Sequence, residues 1–516
     1  MLKSFFEELL VIYPSLASFL GDRKSDSKVE VSISPVFIRK LTQILKKYQT
    51  RLDSYIPKSQ NDTLDCKTLA YLIKLSAEAL QFNFHLIPLS SFSNPILEFT
   101  FMEKTVYPKN HQNMILRHRC YIKFIQQAVV NMKQGIKQRY VIPKRICKQV
   151  IADIETFIDT KGYICNKAIS QFLELKYKPH LKRILDFLKN EYYDNCSESI
   201  ACKDLPNGMA MYSYLLRSNA TLDVSPEYVH KLGLKEVARI KSELIKLASK
   251  KFKSKSDNLV EFIKMVQSDP KNYFQTKEQV VQAYLQAREK IRKTMMPKLF
   301  YDQVTTYEIH PVPKMLESSA AGAFFYPGNM KRPGRFFINL RDVKENPKYT
   351  VETLAIHEGE PGHHYQYQYM LENNVPLYRI FSNDGTAFAE GWALYTESLS
   401  LSKNKFDNFG RLTYEMFRAV RCVVDTGIHA FGWTFEQALD YMKQHLAMKE
   451  TELITELERY ICIPGQAIAY KIGEQFLLQQ REKFLKRKNN NIKDFHKRVL
   501  ENGVLPLCIL EDVINV

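Results

Sequence analysis

Helical periodicity runs through almost all of this 516-residue chain and gives way once, between about residues 300 and 340. Val36, Ile38, Leu41, Ile44 and Leu45 form one such apolar stripe over 36–49, the spacing of a helix with one buried face. Similar segments lie near 66–83, 113–135, 143–159, 167–190, 226–249, 257–268 and 276–294, with breaks at Gly162, Pro179, Pro206-Asn207-Gly208 and Ser254–Asp257. In the exceptional interval, Tyr301–His310 holds Val304, Thr305, Thr306 and Tyr307, residues that suit a strand. Ala323-Phe324-Phe325-Tyr326-Pro327, a turn at Gly328-Asn329, and Arg335–Leu340 follow. These predict a small antiparallel sheet in a mostly α-helical, multi-helical protein. No break is long enough for a linker, so a helical part over 1–295 and a second part over 296–516 are expected to form one continuous fold.

Composition narrows the class. Hydrophobic residues make up 45% and charged residues 25% of the chain, as in ordinary globular proteins. The net charge of +18 would suit an anionic partner. The basic residues are dispersed, however, apart from Lys250–Lys253 and Lys483–Lys488, and no helix-turn-helix, zinc-finger or aromatic RNA-binding pattern accompanies them. Solvated lysines account for the charge, and no specific nucleic acid partner is expected. Nine cysteines, at 66, 120, 147, 165, 196, 202, 422, 462 and 508, stand singly without a C-x-x-C pair. That pattern points to reduced thiols in the cytoplasm. Glu7, Glu8 and Pro14 interrupt the apolar N-terminus, which reads as an amphipathic helix and not a signal peptide. No apolar run reaches transmembrane length, so no membrane partner is expected.

The chemistry concentrates at His357-Glu358-Gly359-Glu360-Pro361-Gly362-His363-His364, directly after the β interval. Zinc hydrolases place two histidines one helical turn apart, with a glutamate general base after the first. Here Pro361 occupies the i+4 position, and a proline there removes a hydrogen bond and clashes with the preceding turn. The helix must bulge or break. Ideal phase would favour His364 as the second ligand, although a proline and two glycines weaken that argument. Downstream, Phe388, Trp392, Tyr395 and Leu399 share one helix face, with Glu390 and Glu397 on the other. A carboxylate there suits a His, His, Glu site, and Glu397 suits a partner that orients a histidine. Spacing alone does not separate this from a solvated face.

The segment HEGEPGHHYQ resembles the H-E-x-x-P-G-H signature of the bacterial domain-of-unknown-function family number 885. Members of that family are similar to zinc peptidases and related in fold to the helical thimet-oligopeptidase and thermostable-carboxypeptidase groups. Relative to the H-E-x-G-H of those groups, the motif resembles one with two residues inserted before Gly-His. The resemblance thus implies Zn2+ held by His357, His363 and Glu390, with His364 the rival second ligand. Phe388–Tyr395 is similar to the family's E-G-W-A-x-Y segment, and the likeness extends over Ser318 to Gly473, with Pro14 and Gly21 fitting the family's usual start. The polar turn after Phe324-Phe325-Tyr326 is shorter than the family's.

Two further segments share the resemblance. In Arg418–His429, Arg421, Asp425 and His429 are spaced by four; His429 is either a capping histidine or a donor to the substrate carbonyl. In Arg459–Gly473, Pro464-Gly465 reads as a helix start with Tyr470 in its second turn. Tyr470 is either a core tyrosine or an oxyanion donor. The implied protein is a zinc metallopeptidase acting on short peptides in a deep cleft beside the sheet. Glu358 is its general base, assisted by His429 or Tyr470. The hairpin edge near Tyr326–Asn339 would pair with an extended peptide substrate. Arg332, Arg335, Arg421, Arg459 and Lys471 are candidates for holding a free substrate carboxylate. Other readings are an inactive zinc- or peptide-binding scaffold and a nucleic-acid-binding protein.

Overall fold

The computed structural model describes residues 1–92, 103, 110–159, 166–254, 258–314, 317, 322–328, 332–383 and 385–515. Gly162, Cys165, Ser318, Asn329 and most of the expected break at 254–257 lie outside the described residues. The chain divides into two units. Unit 1 comprises Met1–Tyr214, Ile428–Phe435 and Thr455–Pro464; unit 2 comprises Leu215–Gly427, Glu436–Ile454 and Gly465–Val516. The first boundary therefore falls after Tyr214, well before the 295/296 division read from the sequence.

Unit 1 is helical, and its helices follow the expected periodicity: Pro35–Asp53, Gln60–Ala79, His111–Gln138 and Lys144–Asp159. Ser34 and Ser59 cap the first two through their side chains, which satisfies amides that a helix start leaves unpaired. Pro179 does not end its segment. The backbone widens into a π-type turn at Leu173–Tyr177 and resumes as Lys178–Phe187 with the proline in its first turn, where a missing N–H costs least.

Unit 2 carries the elements that bear chemistry. In chain order they are α1 (Lys277–Thr294), β1 (Glu308–Pro311), β2 (Ala323–Tyr326), β3 (Arg335–Ile338), α2 (His363–Glu372), α3 (Thr386–Glu397), α4 (Lys405–His429, whose last two residues belong to unit 1) and α5 (Ala469–Leu485). The sheet differs from expectation: it is mixed, in the order β1-β3-β2, with β1 parallel and β2 antiparallel to β3. β3 is therefore internal, and the two outer edges of the sheet belong to β1 and β2.

The strand expected at Tyr301–His310 begins only at Glu308. Side chains satisfy the backbone before it. Val304 and Tyr307 carbonyls accept from Arg292 and Arg288 of α1 (3.0 and 2.9 Å), the Thr305 amide donates to Glu372 (2.9 Å), and the Thr305 carbonyl accepts from His364 (2.8 Å). A polar, β-branched run thus pairs with helices in place of a strand. The same arginines explain why α1 packs with the elements that follow it.

α3 and α5 pack at backbone distance. A Cβ on Gly391 would collide with Gly473, and one on Gly473 with the Ala387 carbonyl. α3 is enclosed well beyond one stripe, with Phe388, Trp392, Tyr395 and Glu397 all buried, so its carboxylates do not form a solvated face. Gly391→Ala is expected to destabilise the protein by about 1–3 kcal/mol, the usual cost of overpacking, measured by urea unfolding. Unchanged stability would contradict this close approach.

Candidate metal centre

The proline-containing motif builds an irregular turn. Ala355–Gly359 is a widened π-type turn, Gly362 donates its amide to the Ile356 carbonyl (2.9 Å), and α2 starts at His363. Glycine is needed twice: a Cβ on Gly362 would overlap the Ile356 and His357 carbonyls, and one on Gly359 the Tyr307 hydroxyl. From α3, Trp392 Nε1–H donates to the Pro361 carbonyl (2.8 Å) and fixes the turn against the helix that carries Glu390. The rings of His357 and His363 then meet edge to face, 4.9 Å between centroids.

Glu390 completes the group. Its Oε2 lies 3.5 Å from His357 Nε2 and 3.3 Å from His363 Nε2. Tetrahedral zinc with bonds of about 2.0–2.1 Å separates its ligand atoms by roughly 3.3–3.4 Å. That buried oxygen makes no hydrogen bond and meets the two imidazoles as ion-pair contacts. Three ligand atoms, each within 4.8 Å of the others, with spacing suited to zinc and a buried acceptor aimed between two imidazoles, fit the metal that the motif implies.

The environment sets the charges. His357 Nδ1–H donates to Glu397 Oε1 (2.7 Å), which turns Nε2 toward Glu390. Burial pushes His357 down, but Glu390, Glu397 and Glu358 together carry it up to about 9. Burial would likewise raise Glu390, yet His363 and His357 hold it well below the usual carboxylate range. Arg418 of α4 brings Nη2 to 3.8 Å from Glu397 Oε1. Glu358 is buried beside His357.

The other expected residues are placed as follows. His364 turns away from the cluster, donates through Nε2 to Thr305, and is pushed down to about 4 by burial. The broken turn thus overrides ideal helical phase. His429 lies in unit 1, where Cys202 N–H donates to its Nδ1 (3.1 Å) and its Nε2–H donates to the Tyr460 carbonyl (3.0 Å). Both ring nitrogens are used, so His429 has nothing left to offer a substrate carbonyl; this corrects the catalytic role drawn from its spacing. Tyr470 falls in the first turn of α5, because the helix starts at Ala469 and not at Pro464-Gly465. Its buried ring has Arg421 at 4.7 Å and Arg418 at 6.0 Å.

Among the carboxylate-binding candidates, Arg335 pairs with Glu308, Arg459 of unit 1 approaches Glu456, and Arg332 donates to the Pro327 carbonyl. Arg421 lies against the rings of Phe417 and Tyr470. Lys471 is the resident cation of a second acidic group, 3.5, 3.1 and 2.5 Å from Glu236, Glu415 and Glu474. An ammonium already occupies that position.

Sequence reasoning gave no role to Arg418, although it opens the segment Arg418–His429, nor to Phe325 of β2, whose ring stacks on His363 (6.5 Å, 17°). The aromatic run Phe324-Phe325-Tyr326 is the hint of the second.

Residues 14–514 match the model of a family described as "Bacterial protein of unknown function (DUF885)". The chain belongs to this family. No curated protein matches this DUF885 chain. A crystal structure of a candidate lipoprotein from Colwellia psychrerythraea is similar in fold, with a TM-score of 0.91 and 23% identity over 100% of this chain and 98% of that one. A candidate lipoprotein of unknown function from Shewanella oneidensis gives 0.76 and 16% identity, over 100% and 99% of the two chains. Among the described residues of the DUF885 chain, no helix is long and apolar enough to cross a membrane.

Zinc at a hundred times its Kd should stabilise the wild type by about 2.7 kcal/mol, seen in calorimetry as a chelator-reversible shift. His363→Ala should abolish the shift and His364→Ala should keep it. The reverse result would assign the ligand to His364.

Proposed function

We propose that this protein is a zinc-dependent peptidase that hydrolyses peptide bonds in short peptides. The observation that carries the reading is Glu390 Oε2 at 3.5 and 3.3 Å from His357 Nε2 and His363 Nε2, close to the edges of a zinc tetrahedron, with the three ligand atoms within 4.8 Å of one another. A zinc-peptidase-like fold and an active-site cleft beside the sheet are part of the same proposal. His357, His363 and Glu390 would hold the ion, which when bound polarises a carbonyl and makes water acidic enough to attack near neutral pH.

The chain's own groups do the rest. Glu358, adjacent to His357 in the turn, takes a proton from the attacking water onto a carboxylate oxygen and returns it to the leaving amine. Glu397 keeps His357 in the tautomer that presents Nε2. Tyr470 is retained as a candidate oxyanion donor, whereas His429 is not. The outer edge of β2, with Phe325 against His363, is the place for an extended peptide to pair. A cytoplasmic location is part of the proposal, on the ground of singly placed cysteines without a C-x-x-C pair; the two fold neighbours are described as lipoproteins.

Glu358→Gln should retain zinc by metal analysis and lose at least about 10²-fold in hydrolysis, the lower range for a general base. Mass spectrometry of a digested peptide mixture provides the assay. A wild type that holds zinc and cleaves nothing in that mixture would favour the inactive scaffold. A fully active Glu358→Gln would remove Glu358 from the mechanism.

A further inference from the structure

Glu397 and Arg418 leave one contact half made. Both are buried, at 2% and 6% exposure. Glu397 Oε1 serves His357 Nδ1 and stands 3.8 Å from Arg418 Nη2. Glu397 Oε2 and Arg418 Nε, the atoms beside these, are each buried without a hydrogen-bond partner. Carboxylate and guanidinium pair best side on, through two parallel N–H···O bonds, and these four atoms are the complement of that fork. Arg418 is positioned from behind by its own helix: Nη1 donates to the Tyr414 carbonyl (3.3 Å), and the guanidinium lies 4.7 Å from the Tyr414 ring centre.

The charges argue the same way. A bound divalent cation would offset two of the three carboxylates Glu358, Glu390 and Glu397. The third needs a positive partner because an uncompensated buried charge is strongly disfavoured. Arg418 is the cation that contacts Glu397.

We propose that Arg418 is a positioning residue for metal retention, clamping Glu397 side on so that Glu397 fixes the His357 ring as a ligand. This rests on the metal reading above and assigns a role to a residue outside the motif. Partners one step removed from a metal typically change its affinity by about 10–100-fold when lost.

The test compares wild type, Arg418→Met and Arg418→Lys by zinc competition against a chromophoric chelator and by the visible spectrum of the cobalt-substituted protein. Circular dichroism of the metal-free forms checks folding. Arg418→Met should bind zinc about 10–100-fold more weakly with an altered cobalt spectrum. Arg418→Lys keeps the charge but not the fork, and should fall between. A folded Arg418→Met with wild-type affinity and spectrum overturns the proposal. If Arg418→Met does not fold, wild-type affinity in Arg418→Lys overturns it and an intermediate affinity upholds it. A wild type that binds no zinc overturns this proposal together with the metal reading, whereas zinc-tight wild type and Arg418→Met overturn this proposal alone.

Discussion

One hydrogen bond, from His357 Nδ1–H to Glu397 Oε1, ties the irregular turn to the helix that follows it in space. It joins two elements whose sequences are 40 residues apart and decides which nitrogen of His357 looks toward Glu390. Glu390 and Glu397 sit on the same helix, seven residues or about two turns apart. One helix thus supplies both the group that orients the imidazole and the carboxylate that faces it. The position of α3 is in turn set by the glycine contact with α5 and by the Trp392 bond to Pro361. The cluster is therefore held by backbone contacts and buried hydrogen bonds, with little dependence on surface ion pairs, which are worth little.

Much of the fold was legible because long amphipathic helices leave a periodic trace. The helices of unit 1 appear where Val36 through Leu45 and similar stripes place them. The sheet was legible as a location but not as a topology. Short aromatic runs beside a Pro-Gly turn mark Phe324 to Tyr326 and Arg335 to Ile338 as strands, yet nothing local states that β1 runs parallel to β3. Thr305 and Tyr307 look like strand residues, and only distant arginines and Glu372 make them otherwise.

The candidate site shows the same division. Proline and two glycines announce a broken turn, but not which imidazole it turns inward; His364 is withdrawn by a backbone carbonyl at Thr305. His429 illustrates a different failure. Spacing by four places it on one face with Arg421 and Asp425, and says nothing of the two backbone groups that occupy its ring. Arg418 opens the segment Arg418–His429, but nothing in its spacing points to Glu397, the acceptor it approaches on another helix.

The order β1-β3-β2 has a spatial corollary. Phe325 points from the outermost strand onto the ring of His363, while the next residue back, Phe324, stacks on Phe337 of the middle strand at 5.0 Å. The imidazole that faces Glu390 therefore has a strand residue on its other side, and a single benzyl side chain separates the outer strand β2 from the cluster.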